Sequence, residues 1–353
     1  MRTFILTVVA VLLYGCSNLK SYEDSDAYKN RISKNSIYHW KSTFKPTQYE
    51  MDFLRSHNIG RLYMKMFDVS VGDVYSSSGT EQDIVPIATT VFSASVPSEI
   101  EVIPTVFITL EALRFMEGKE KAGAEKIITR CMAMADYNSL GKPKEIQIDC
   151  DWTSSTRNIF FLFCQEMKNI LGKDGILLSC TIRLHQLKDK TFPPVDRGML
   201  MLYNTGNFRD IDTRNSIICY DDIKPYINDV KGYGLPLDFA YPDFSWNVLY
   251  QDSLFDRLEK GFIDLADTAT FERINSNTYR VKNSNNLLYE NYTIRHEESK
   301  IEDILKVKQL VEKKLATKNY SSIIYHLDSV NLSKFTDNEI NEIYKTNEKH
   351  ENR

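Results

Sequence analysis

Along this chain, short runs in which Val, Ile, Leu, Phe and Tyr alternate with polar residues take turns with longer stretches whose apolar positions recur every three to four residues. The first pattern marks strands with one buried face, the second amphipathic helices. Eight runs read as strands: 36–41, 61–68, 101–109, 145–152, 177–185, 199–204, 235–241 and 322–328. Helices are expected over 47–57, 122–136, 156–171, 223–230 and 299–315, the third opening after Thr153-Ser154-Ser155, which suit an N-cap, and ending at Gly172. Strands alternating with helices call for an α/β fold with a parallel sheet, and eight is the number that closes a (β/α)8 TIM-type barrel.

Two connections are long, after the second strand (69–98) and after the seventh (245–320), the latter with a polar, hairpin-like stretch over 271–294. In a barrel such loops lie at the C-terminal face, where sites are built. The tail from 335 to 353 is polar and reads as a last, fraying helix. With no internal repeat and no low-complexity linker, residues 35–353 are expected to form one barrel domain.

The start of the chain has a different pattern. Arg2 precedes an apolar run from Phe4 to Leu13, too short to span a bilayer but suited to a signal-peptide core. Leu13-Tyr14-Gly15-Cys16 resembles the lipobox of bacterial lipoprotein signals, with Tyr14 departing from the usual small residue. The resemblance implies that residues 1–15 are removed and that Cys16 is lipidated; the polar stretch after it, to residue 34, carrying Glu23, Asp24 and Asp26, reads as a flexible spacer or an export cue. The expected location is the cell envelope, on the outer membrane, with the lipid as sole tether because no later segment is long and apolar enough to cross.

Composition narrows the classes. The chain has 353 residues, 42% hydrophobic and 26% charged, as a folded protein should. A net charge of -4 offers no basic field, so nucleic acid is not an expected partner. After the anchor, Cys131, Cys150, Cys164, Cys180 and Cys219 stand at scattered positions, which argues against a disulfide framework or a zinc site and for buried thiols. No ligand spacing supports a metal, and no cofactor is expected. The 20 Tyr and 18 Phe suit sugar stacking and core packing equally.

Alternation assigns strand residues to two faces. In the fourth strand Ile146, Ile148 and Cys150 should meet the helices, leaving Gln147, Asp149 and Asp151 inward; in the fifth, Ser179, Thr181, Arg183 and His185 point inward. The seventh gives Asp238 and Ala240. In the eighth, Ile323, Tyr325 and Leu327 are assigned outward, His326 and Asp328 inward. The second adds Tyr63, Lys65 and Phe67 on one face, the first Tyr38 and Trp40 or, in the other register, His39, and the sixth Met201 and Tyr203. The upper interior would then gather Lys65, Asp149, Asp151, Arg183, His185, Tyr203, Asp238, His326 and Asp328, with Trp40 and Trp246 nearby. So many buried charges need pairing or a use.

Ile148-Asp149-Cys150-Asp151-Trp152 resembles the strand-4 signature of family 18 glycoside hydrolases, the chitinase-like barrels, in which alternating Asp residues lead through an aromatic to a catalytic Glu. Met201-Leu202-Tyr203-Asn204 is similar to that family's Met-x-Tyr-Asp, and Trp246 to the Trp that floors its sugar site. The pattern breaks at Thr153, which occupies the place of the catalytic Glu, at Ile146 and Gln147 in place of Asp and Gly, and at Asn204. A Thr hydroxyl cannot protonate a glycosidic oxygen, so the family's mechanism does not carry over. More generally the chain resembles glycosidase-like barrels found among exported lipoproteins.

Three readings follow. A glycoside hydrolase would use Asp151, assisted by Asp149, as general acid, with Asp238, Asp243 or Asp328 across the mouth as nucleophile or base. Lys65, Arg183, His185, Tyr203 and His326 would orient hydroxyls, and Trp40, Trp152 and Trp246 would stack on sugar rings. The alternatives are a barrel that binds an extracytoplasmic glycan without cleaving it, and an envelope lipoprotein that binds a partner or is structural, its interior an ion network.

Overall fold

The computed structural model describes residues 32–76, 79–188, 191–283, 290, 292–315 and 319–346. The signal segment, Cys16 and nearly all of the spacer lie outside the described residues. Eight parallel strands form in the expected order: β1 (Ser36–His39), β2 (Arg61–Ser76), β3 (Glu101–Ile108), β4 (Glu145–Asp149), β5 (Leu177–Ile182), β6 (Arg197–Met201), β7 (Leu237–Pro242) and β8 (Ser322–Tyr325). Each pairs with its successor, and β1 pairs with both β8 and β2, which closes the sheet into a barrel.

The outer faces of the strands are apolar, while the buried inner face mixes apolar residues with polar ones such as Gln147, Asp149, Ser179 and Thr181. Outside, they meet the helices α1 (Gln48–Ser56), α2 (Leu110–Phe115), α3 (Glu120–Tyr137), α4 (Arg157–Leu171), α5 (Tyr220–Val230) and α6 (Ile301–Glu312) in one large core. Inside, Tyr38, Tyr63, Ile103, Met199, Met201, Tyr203, Ala240 and Ile323 fill the barrel. The interior begins at its N-terminal end in charge: Arg197 Nε lies 3.5 Å from Glu145 Oε2, Arg197 Nη1 lies 4.0 Å from Asp238 Oδ2, and Asp238 Oδ1 accepts from the Ser321 amide at 2.6 Å. At this end, too, the chain joins the barrel. Ser33 Oγ donates to the Tyr320 carbonyl at 2.6 Å, and Lys34 pairs with Glu101 at 2.8 Å.

Local sequence sets the boundaries. Thr47 and Glu50 form a capping box at α1, with Thr47 Oγ1 accepting from the Glu50 amide and Glu50 Oε2 from the Thr47 amide. α4 ends at Gly172 as expected; Gly172 keeps right-handed geometry, a 3-10 turn follows over Gly172–Asp174, and the left-handed residue is Gly175 at φ 68°. The short helices α7 (Ser329–Leu332) and α8 (Asp337–Tyr344) complete the chain.

The face assigned to β8 is corrected. Ile323 and Tyr325 point into the barrel, whereas Ile324 packs outward. Counting apolar residues could not choose the face, because the middle of the interior is itself apolar. The strand ends at Tyr325, so alternation does not extend to His326 and Asp328. In β2 a bulge between Lys65 and Phe67 breaks alternation as well: Lys65 pairs with Thr105, Phe67 with Val106 and Asp68 with Phe107. Phe67, assigned to the face of Tyr63 and Lys65, thus turns out to the helices, and Asp68 takes its place.

Beyond the bulge β2 runs on to Ser76 and pairs antiparallel with the strand Gly79–Ile87. Between β7 and α6 a five-stranded antiparallel sheet forms in the order Leu254–Glu259, Ser245–Gln251, Tyr292–Glu298, Thr278–Val281 and Phe271–Arg273. Among the described residues no helix is long and apolar enough to cross a membrane.

Gly198 shows how tightly the outer layer is fitted, since a Cβ there would lie 2.8 Å from Leu237 Cδ2 and 2.9 Å from Ile182 Cγ1. Gly198→Val is expected to cost about 1–3 kcal/mol by overpacking, seen as a lower urea midpoint at unchanged slope.

Candidate functional site

At the C-terminal end of the barrel the inward positions of β4 and β5 turn polar together. Gln147 Oε1 accepts from the Tyr38 hydroxyl at 2.6 Å, tying β4 to β1 across the interior. One turn higher, Asp149 is 4% exposed and Oδ1 accepts from Thr181 Oγ1 at 2.5 Å and from Arg183 Nη2 at 3.1 Å. The same guanidinium donates through Nε to Asp151 Oδ1 at 2.5 Å. Burial raises the Asp149 carboxyl above its usual range, with Arg183 and Thr181 opposing. Burial also works against the charge on Arg183, but Asp149 and Asp151 outweigh it and hold the guanidinium protonated.

Arg183 and Asp151 both lie past the ends of their strands, and a turn holds them. Gln186 Oε1 accepts from the Arg183 amide at 2.8 Å while Gln186 Nε2 donates to the Trp152 carbonyl at 3.0 Å. Beyond Asp151 the chain offers hydroxyls: Thr153 is exposed with Oγ1 2.9 Å from Ser155 Oγ, and its amide donates to Thr156 Oγ1 at 3.0 Å.

Aromatic rings surround this charge cluster, with Tyr325 as their hub. Its ring lies 5.0 Å from Tyr203, 5.6 Å from Tyr38, 5.8 Å from Trp40 and 6.0 Å from Phe244, centroid to centroid. Lys65 Nζ sits 5.9 Å from the centre of the Trp40 ring and pairs with Asp68 at 3.0 Å. Phe107, half-buried, is in register with Asp149.

Of the residues singled out from sequence, the structure brings together Trp40, Lys65, Asp149, Asp151, Arg183 and Tyr203. It separates the others, for reasons that can be named. Asp238 is the second residue of β7 and so lies at the opposite end of the barrel, beside Arg197. Asp243 has outward parity and is buried behind the strands, accepting from the His326 amide at 2.8 Å. Asp328 is the N-cap of α7 and pairs with Lys41 at 2.9 Å. His326 shares that outer cluster with His39, and burial lowers both imidazoles to about 4. Trp152 has outward parity and packs on Phe160 and Phe161, while Trp246 is buried with its indole donating to Glu297 at 2.7 Å. Neither presents a free stacking face. His185 is exposed on the 3-10 turn Leu184–Lys188, past the end of β5.

Sequence reasoning missed Asp68, Phe107, Phe244, Tyr325 and Gln186. Alternation alone would have placed Phe107 inward; the bulge that turns Asp68 inward leaves no mark in the sequence. Among the described residues no group of three or more His, Cys, Asp or Glu is placed to hold a metal.

Chemically, the cluster presents polar groups and ring faces to a ligand. Asp149 is under Arg183, one Asp151 oxygen is committed to the same guanidinium, and Thr153 stands next along the chain.

No protein-family model matches the chain, and no curated protein does. Solved structures share its fold. A chitinase from Chromobacterium violaceum superposes with a TM-score of 0.55 at 11% identity, covering 88% of this chain and 98% of that one. The spore cortex-lytic enzyme of Bacillus cereus gives 0.53 at 13%, covering 89% and 75%. A family 18 chitinase from Cycas revoluta, in complex with (GlcNAc)3, gives 0.52 at 11%, covering 88% and 98%. At such identity the likeness is one of fold, that of the glycosidase-like barrels.

The raised Asp149 carboxyl has a consequence for stability. The native state keeps a proton that the unfolded chain releases near pH 3.9, so this group's contribution is full below that pH and is lost as pH rises through the native value. Asp149→Asn removes the titration. Urea unfolding across pH 4 to 8 should show the variant gaining stability relative to the parent as pH rises.

Proposed function

We propose that the barrel mouth binds a carbohydrate chain and does not cleave it, and that the protein does so while tethered to the cell envelope through a lipid on Cys16. The observation that carries the first part is the Arg183 guanidinium shared by Asp149 and Asp151. A glycosidase needs one carboxyl free to give a proton and a second placed to attack or to activate water. Here one guanidinium occupies both acids, and a hydroxyl, Thr153, comes where the fold's hydrolases would need the donor. The rings of Trp40, Tyr203, Phe244 and Tyr325 suit the apolar faces of pyranoses. The chitinases among the fold's neighbours, one in complex with (GlcNAc)3, favour a glycan as ligand.

The charges favour a neutral glycan. Lys65 and Arg183 are each already paired with a carboxylate, and Asp151 is the charge most open to solvent, its side chain 54% exposed. A uronate or sulfate would meet that carboxylate, while Lys65 and Arg183 are already committed to acids of the cluster. Hydrolysis remains a second reading on one observation, the raised carboxyl of Asp149. The tether rests on the Leu13-Tyr14-Gly15-Cys16 segment and the apolar run before it.

Calorimetric titration with a panel of neutral and acidic oligosaccharides, with product analysis after long incubation, tests the first part. The expected result is saturable binding of a neutral member with no new products, and about tenfold weaker binding by Tyr325→Ala, on the order of 1.4 kcal/mol. Products that vanish in Asp149→Asn would establish the hydrolase instead, and no binding at all would leave a structural or partner-binding role. For the tether, Cys16→Ala should abolish incorporation of labelled fatty acid and move the protein from the membrane to the soluble fraction.

A further inference from the structure

Asp243 is a buried acid that the mouth does not use. It is the first residue past β7, 2% exposed, and its two polar links go to a single peptide group. Asp243 Oδ1 accepts from the His326 amide at 2.8 Å, and the Asp243 amide donates to the Tyr325 carbonyl at 3.1 Å. One residue thus satisfies both polar atoms of the Tyr325–His326 peptide, at the point where β8 ends. On one side of that peptide is Tyr325, the ring that touches Tyr38, Trp40, Tyr203 and Phe244; on the other side of Asp243 is Phe244 itself.

We propose that Asp243 is the positioning residue of the mouth, fixing the tip of β8 to the tip of β7 so that Tyr325 and Phe244 stand 6.0 Å apart as one wall of the site. Buried backbone polar groups at a strand end must find partners, and here side chain and main chain of one residue supply them. Burial raises the Asp243 carboxyl well above its ordinary range. Only Oδ1 takes part in the link, and Oδ2 has no hydrogen-bond partner among the described residues, so one accepting oxygen suffices and Asn is the close mimic. Asp243 touches no ligand in this scheme; it acts through Tyr325.

The binding readout rests on the carbohydrate reading of the mouth, so a second readout is chosen that does not. Trp40 is half-buried beside Tyr325, whereas Trp152 and Trp246 are buried, so acrylamide quenching of tryptophan fluorescence reports chiefly on Trp40. Asp243→Ala should raise quenching and weaken binding of a neutral oligosaccharide about tenfold, while Asp243→Asn should match the parent in both. Gly198→Val, destabilised elsewhere, should leave quenching unchanged. Should Asp243→Ala not accumulate as folded protein, Asp243→Ser carries the same test. Parent-like quenching in Asp243→Ala, or an Asp243→Asn variant as perturbed as the alanine, overturns the proposal. A parent protein that binds no carbohydrate overturns the reading of the mouth instead, and the quenching comparison still decides the role of Asp243.

Discussion

A carboxylate near the axis of a closed barrel has lost its water, and the Arg183 guanidinium is what lets Asp149 stand there. Leaving such a charge unpaired costs several kcal/mol, and Thr181 alone would satisfy only part of it. Arg183 cannot be placed by β5, which ends before it. It depends on Gln186, which holds the Arg183 amide and the Trp152 carbonyl, and on Trp152, whose buried ring anchors the segment behind the barrel. The tips of β4 and β5 are therefore one mechanical unit, with Asp149 and Asp151 paired to one shared guanidinium.

The architecture was legible because it rests on repeated, redundant signals. Eight β-rich runs between helical stretches survive errors of a few residues in any one of them, and all eight strands form. The site was legible where two polar residues repeat at a spacing of two within a strand that continues, as with Gln147 and Asp149 or Ser179 and Thr181. It failed where strands stop. Asp328 and His326 follow a strand already ended, and Asp243 is one step past the close of β7, so parity sends it behind the sheet. Strand 8 failed differently: Ile323 and Ile324 are equally apolar, and only the packing inside the barrel decides which enters. The bulge in β2 exchanges Phe67 for Asp68 without changing a letter of the sequence.

The barrel superposes on a chitinase over nearly that enzyme's whole length, while at its mouth Asp149 and Asp151 share one arginine and Asp68 pairs with Lys65. A fold is a way of holding side chains, and the same scaffold serves recognition as readily as catalysis. The aromatic hub at Tyr325, backed by Asp243, has a form useful to either.

The place where the chain joins the barrel gives this a direction in space. Ser33 and Lys34 are fastened beside Tyr320 and Glu101, at the N-terminal ends of the strands, whereas the rings and the Arg183 cluster crown the opposite end. Were Cys16 to carry the proposed lipid, the tethered segment would meet the molecule at its base, and the rim of rings would lie at the far end from the point of attachment.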